Sequence, residues 1–140
     1  MAGRIAVAGL QTNLGTVTLD CNELGGDHLG EILDWQKLED LIKKNGVSID
    51  RPKGTPHPRY NDRIYPADYG HIPDTVGTDG EELDVFVGKG RKGVTGIIMT
   101  SDSLKHDKEI KILCGMDHDE ARLAEKFLNF GGMRAKLILR

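Results

Sequence analysis

Apolar residues recur at helical spacing from about Gly30, at Ile32, Leu33, Trp35, Leu38, Leu41 and Ile42, and Asn45-Gly46 follows Lys43 and Lys44 as a stop. That rhythm predicts an amphipathic helix whose apolar stripe packs on the rest of the chain. Before it, two short apolar runs, Arg4 to Ala8 and Thr16 to Leu19, flank a polar turn at Gln11 to Gly15 and predict a hairpin. Beyond residue 80 shorter apolar runs take over. Leu83 to Val87, Gly96 to Thr100 and Glu109 to Leu113 each read as a strand bounded by glycine or charged turns, and together predict an antiparallel sheet. Asp117, with Glu120 three residues on, opens a second helix with the pattern of a capping box. Ala121, Leu123, Ala124, Phe127 and Leu128 give that helix its apolar side, Gly131-Gly132 ends it, and Ala135 to Leu139 forms a last strand.

The stretch from Asp50 to Asp79 breaks both rhythms. It holds all five prolines, which leave little room for paired strands or helix, so it predicts a long irregular loop. Tyr60, Tyr65 and Tyr69 argue that this loop is ordered, and long ordered loops are usually functional. The element order as a whole predicts an α+β fold, a small barrel or curled antiparallel sheet with two helices.

Length and composition narrow the setting. A chain of 140 residues can bury one core, so a single domain over 1–140 is expected. Acidic residues number 22 against 19 basic ones, a net charge of −3, which argues against a protein that coats nucleic acid or an anionic membrane. Cys21 and Cys114 lie far apart in no CxxC pattern and read as thiols of a reducing compartment. No leader pattern and no membrane-length apolar run occurs, so the expected location is the cytoplasm.

The candidate chemistry lies in Asp79-Gly80-Glu81-Glu82-Leu83-Asp84, four carboxylates within six positions that lead into an apolar strand. Alternation along that strand sets Leu83, Val85 and Val87 on one face and Asp84 and Phe86 on the other. Gly80 lets the preceding turn bend Asp79 and Glu81 towards Asp84. Carboxylates held so close repel unless a cation or proton neutralises them, and oxygen ligands alone suit magnesium or manganese before zinc. Acidic turns are commoner than metal sites, so the neighbourhood has to decide.

Tyr65-Pro66-Ala67-Asp68-Tyr69-Gly70-His71-Ile72-Pro73, followed by Asp79-Gly80-Glu81-Glu82-Leu83-Asp84-Val85, resembles the signature of soluble inorganic pyrophosphatases, Y-P-x-N-Y-G-x-I-P and then D-G-D-P-x-D-V. Ile49 to Pro52 with Arg59-Tyr60 and, downstream, Asp102 with Glu109-Ile110-Lys111 resemble further segments of the same family, so the likeness runs over roughly 49–111. It is similar also to the compact pyrophosphatase-like domains of phage and prophage head-morphogenesis proteins. The resemblance implies an OB-like barrel and hydrolysis of pyrophosphate, or a related phosphoanhydride, by metal-activated water. It implies Asp79, Asp84, Asp102 and Glu109 as metal ligands with Glu81 as ligand and base. It implies Arg59, Arg63, Tyr69 and Lys111 as groups that bind and polarise the phosphates. A homo-oligomer is compatible with it. Asp50, Asn61 and Glu81 depart from the family pattern, and only Asn61 to Ile64 stands where the larger enzymes carry a hairpin. A non-catalytic module that binds metal or phosphate is therefore the alternative, and nucleotide hydrolysis ranks behind it because no base-stacking pattern is visible.

Overall fold

In a computed structural model of the chain, residues 6–12, 15–20, 34–77, 80–104 and 107–140 are described, the first two segments as backbone alone. The order of elements is β1 (Ala6–Thr12), β2 (Gly15–Asp20), α1 (Trp35–Asn45), β3 (Ser48–Arg51), β4 (Asp68–Ile72), β5 (Leu83–Val87), β6 (Val94–Asp102), β7 (Asp107–Cys114), α2 (His118–Leu128) and β8 (Met133–Leu139). β1 and β2 form the expected hairpin, with β1 running four residues further than the apolar run suggested. The remaining strands form one six-stranded sheet in the order β3-β4-β5-β7-β6-β8. The α+β class with two helices and a mostly antiparallel sheet is as expected, and the sheet is open, with β3 and β8 at its edges.

Two expectations are corrected. β5 and β7 pair in parallel, so the three central strands are not all antiparallel. The proline-rich stretch is not loop throughout: β4 lies inside it and pairs with β3 on one side and β5 on the other. Proline spares these strands because Pro52 and Pro66 stand just outside them, where the missing N–H is not needed by the ladder. Gly70, in the middle of β4, lets the Ser48 carbonyl approach where a Cβ would collide with it.

Both helices begin on side-chain caps. Asp34 accepts from the Lys37 amide at 3.0 Å, Lys43 and Lys44 sit in the last turn of α1, and Gly46 closes it with φ 74°. The start at Trp35 leaves the expected first turn, Gly30 to Leu33, outside the described residues. Asp117 and Glu120 form the reciprocal box at the start of α2.

The two helices cover opposite faces of the sheet. Leu38 and Leu41 of α1 pack with Leu83, Val85, Ile97, Ile110, Ile112 and Ile138. Ala121 and Ala124 of α2 pack with Phe86, Ile98, Leu113, Met116 and Tyr65 on the other face. Burying each of the larger side chains contributes about 1.5–3 kcal/mol. α2 covers only part of its face, and the remainder, towards β4 and the β6–β7 turn, carries the polar residues.

Candidate active site

Strand register fixes which polar residues meet. In the parallel pair Asp84 stands beside Lys111, and in the antiparallel pairs Phe86 faces Tyr69 and Glu109 faces Thr100. Paired residues share a face, so Tyr69, Asp84, Glu109 and Lys111 project from the side that carries α2. Two residues beyond Thr100 along β6, Asp102 joins the same face. The alternation of Glu109 and Lys111 with Ile110 and Ile112 is as expected, since both isoleucines lie in the opposite core.

Lys111 is the centre of this group. It is 6% exposed, and its Nζ donates to Asp84 Oδ2 at 2.7 Å and to Tyr69 Oη at 3.1 Å, with Glu109 Oε2 at 3.7 Å. Burial alone would lower the lysine, but Tyr69 and the Asp84 carboxylate beside it hold the ammonium above its usual range. Burial likewise pushes the Tyr69 phenol upward, so at neutral pH it is a protonated hydroxyl. The group is a fixed cation braced by a carboxylate, with a phenol at its side.

A second set of cations comes from the segment between β3 and β4. A bulge at Asp50 shifts the β3 register so that Arg51 stands opposite Tyr69. The Arg51 guanidinium donates to Tyr65 Oη at 2.6 Å and lies 5.5 Å from the Tyr65 ring centre. Residues 54–65 fold back on themselves: Gly54 N–H reaches Tyr65 O, Tyr65 N–H reaches Thr55 O, and His57 N–H reaches Arg63 O. His57 Nδ1 accepts from the amides of Arg59 and Tyr60 at 3.0 and 3.2 Å, and its ring stacks on Tyr65. Burial, with Arg51, Arg63 and Arg59 nearby, pushes His57 below its ordinary pKa, which keeps that nitrogen an acceptor at neutral pH. The pinched loop delivers Arg59 and Arg63, with Arg63 seated over the rings of Phe127 and Phe130 at 4.4 and 4.0 Å.

A cavity of about 350 Å³ lies between this loop, the sheet face and the end of α2, and Arg51, Arg59, Arg63, Lys111, Tyr69 and Asp102 all line it. Every expected phosphate-binding residue is therefore brought to one cavity. The expected acidic set is placed less closely. Asp84 and Glu109 flank Lys111, Asp102 accepts from the Leu104 amide at 2.9 Å, and Glu81 is exposed in the turn before β5, where Gly80 takes φ 83°. Asp79 lies outside the described residues, and among the described residues no three His, Cys, Asp or Glu groups gather closely enough to hold a metal. The oxygen donors of Asp84, Asp102 and Glu109, on one side of the sheet next to a cationic cavity, nonetheless have the chemistry that suits a hard divalent ion.

Arg51 and His57 are site residues that the sequence reading passed over. Arg51 was within the recognised segment, two positions after Ile49, but only the bulge aims it inward. The aromatic wall of Tyr60, Phe127 and Phe130 was missed as well: its members stand in separate segments and read as packing residues one at a time.

Four cations lining one cavity beside carboxylates give it the chemistry to hold a strongly anionic, phosphate-like ligand. The chain belongs to the inorganic pyrophosphatase family: residues 34–122 match the family described as "Pyrophosphatase: Inorganic pyrophosphatase". Its enzyme class is that of an inorganic diphosphatase. Solved structures similar to it include an inorganic pyrophosphatase from Coxiella burnetii, 18% identical over 65% of this chain and 81% of that one, with a TM-score of 0.44. Others are the pyrophosphatase of Helicobacter pylori, 17% identical over 66% and 81% with a TM-score of 0.45, and that of Neisseria gonorrhoeae, 20% over 75% and 86% with a TM-score of 0.45. Among curated proteins none matches the chain.

Proposed function

We propose that this protein hydrolyses inorganic pyrophosphate to two phosphates in the cavity beneath the 54–65 loop, with a divalent cation, magnesium before manganese, as cofactor. The convergence of Arg51, Arg59, Arg63 and Lys111 on one cavity carries the reading, since a small tetra-anion is the ligand that uses four fixed positive groups. Lys111 and the arginines hold the equatorial phosphate oxygens, and the Tyr69 hydroxyl donates to the phosphate from the same wall. Asp84 orients the Lys111 ammonium through its 2.7 Å contact. Asp79, Asp84, Asp102 and Glu109 are the residues to hold the cation, and Glu81 the one to accept the proton from water. When bound, that cation supplies Lewis acidity towards water and phosphate oxygens.

The proposed protein works in the cytoplasm as one domain; Cys114 is an unpaired thiol, and among the described residues no helix is long and apolar enough to cross a membrane. The deciding experiment is phosphate release from pyrophosphate with magnesium by the wild type and by Asp84→Asn. Release that falls by about a hundredfold or more in the variant supports the reading. A folded wild type that releases none overturns it and leaves a module that binds without turnover.

A further inference from the structure

Three large apolar side chains stand exposed on the rim of the same cavity: Tyr60 at 40%, Phe130 at 44% and Leu104 at 85%. They come from three separate segments, the pinched loop, the turn after β6 and the connection from α2 to β8. Isolated exposed apolar residues are ordinary, but their convergence around one opening marks a surface with a ligand to cover. Inorganic pyrophosphate has no apolar part and gains nothing from them.

The arrangement mixes charge with aromatic surface. Lys111 and Arg51 lie at the sheet end, Arg63 lies over Phe127 and Phe130, and Tyr60 meets Phe130 edge-on with ring centres 5.1 Å apart. Arg59 lies 5.8 Å from the Tyr60 ring, so at the rim arginines and aromatic surface stand side by side, while at the sheet end Lys111 is braced by the Asp84 carboxylate. The cavity, about 350 Å³, falls within the range of roughly 300–1,000 Å³ that takes drug-sized organic ligands, and pyrophosphate would fill only part of it.

We propose that the site accepts an organic phosphoanhydride, a nucleoside diphosphate or triphosphate, with its phosphates among the arginines and Lys111 and its base against Tyr60, Leu104 and Phe130. This extends the phosphate-binding reading above to a larger substrate class and rests on it. Base stacking on aromatic side chains tolerates any base, so little preference among nucleobases is expected.

Calorimetric titration with ADP and with methylenediphosphonate, a non-hydrolysable stand-in for pyrophosphate, separates the two ends. The wild type should bind both. Leu104→Ser and Leu104→Asn, at a rim side chain 85% exposed, should each weaken ADP by about tenfold and methylenediphosphonate by less than twofold. A tenfold loss corresponds to about 1.4 kcal/mol. Binding of methylenediphosphonate without ADP overturns the inference and leaves the pyrophosphate reading intact, and equal losses of both ligands in the variants overturn it too. ADP bound and weakened as stated, with no methylenediphosphonate binding, supports the organic ligand against the inorganic one. Binding of neither defeats both.

Discussion

Lys111→Met tests whether the buried ammonium is the keystone of the polar face. Methionine matches the lysine stem in length and flexibility, so the change removes a charge with little change of volume. What it leaves is the Asp84 carboxylate, its side chain 30% exposed, without the cation that stood 2.7 Å away, and Glu109, 28% exposed, without the charge 3.7 Å from it. Breaking a buried ion pair from one side costs about 3–5 kcal/mol, and the residual exposure of both carboxylates puts this case near the lower end, about 3 kcal/mol. For a chain of this length that is a fall in Tm of roughly 10 °C. Thermal unfolding at pH 7 measures it. Asp84→Asn in the same background removes the carboxylate that lost its cation, so the double variant should recover about 2 kcal/mol relative to the sum of the single ones. A Lys111→Met protein that melts with the wild type, or single effects that simply add, would refute the idea that the face is organised around this ammonium.

Other perturbations report on the frame around the site. Gly70→Ala sets a Cβ against the Ser48 carbonyl, so β3 must move from β4, and a loss of about 3 kcal/mol should appear in urea unfolding. Glu120 accepts from the amides of Asp117, Lys89 and Gly90, which outweigh burial and hold its carboxyl below the usual range. Its contribution is therefore full above the ordinary carboxylate pKa and fades as pH falls through the depressed one; the Tm gap between wild type and Glu120→Gln should close in acid. His71 is raised chiefly by its 2.7 Å hydrogen bond with Asp50. That contribution is full below the ordinary histidine pKa and disappears as pH rises through the raised one, so His71→Gln should flatten the stability profile on that limb. His57→Ala withdraws the acceptor that fixes the Arg59 and Tyr60 amides, and should raise KM for pyrophosphate about tenfold while leaving Tm within a few degrees.

What could be read in advance was what local chemistry decides. Gly46 and the Asp117–Glu120 box mark where one helix ends and the other begins, because a cap involves residues within a turn of one another. Glu109 and Lys111 could be assigned to one face because a strand has a period of two. The parallel pairing of β5 with β7 was not legible, since it depends on which strand comes between two others, and alternation is the same in either direction. β3 and β4 were hidden by the prolines beside them. Arg51 depends on one bulge residue, and Phe127 and Phe130 depend on where the end of α2 comes to rest, so neither had a local signal.

The position of β7 has a kinetic meaning. It lies between β5 and β6, which are its predecessors in the chain, so those two cannot settle as a simple hairpin and then wait. The partners Tyr69, Asp84 and Lys111 are 42 and 27 residues from one another's strands, counted to the lysine. Closing such loops precedes any reward from the contacts they make, which makes folding slower than that of helical proteins built on local contacts. Ligand-binding competence should therefore emerge at the rate of sheet completion, with no earlier phase in which the cavity exists.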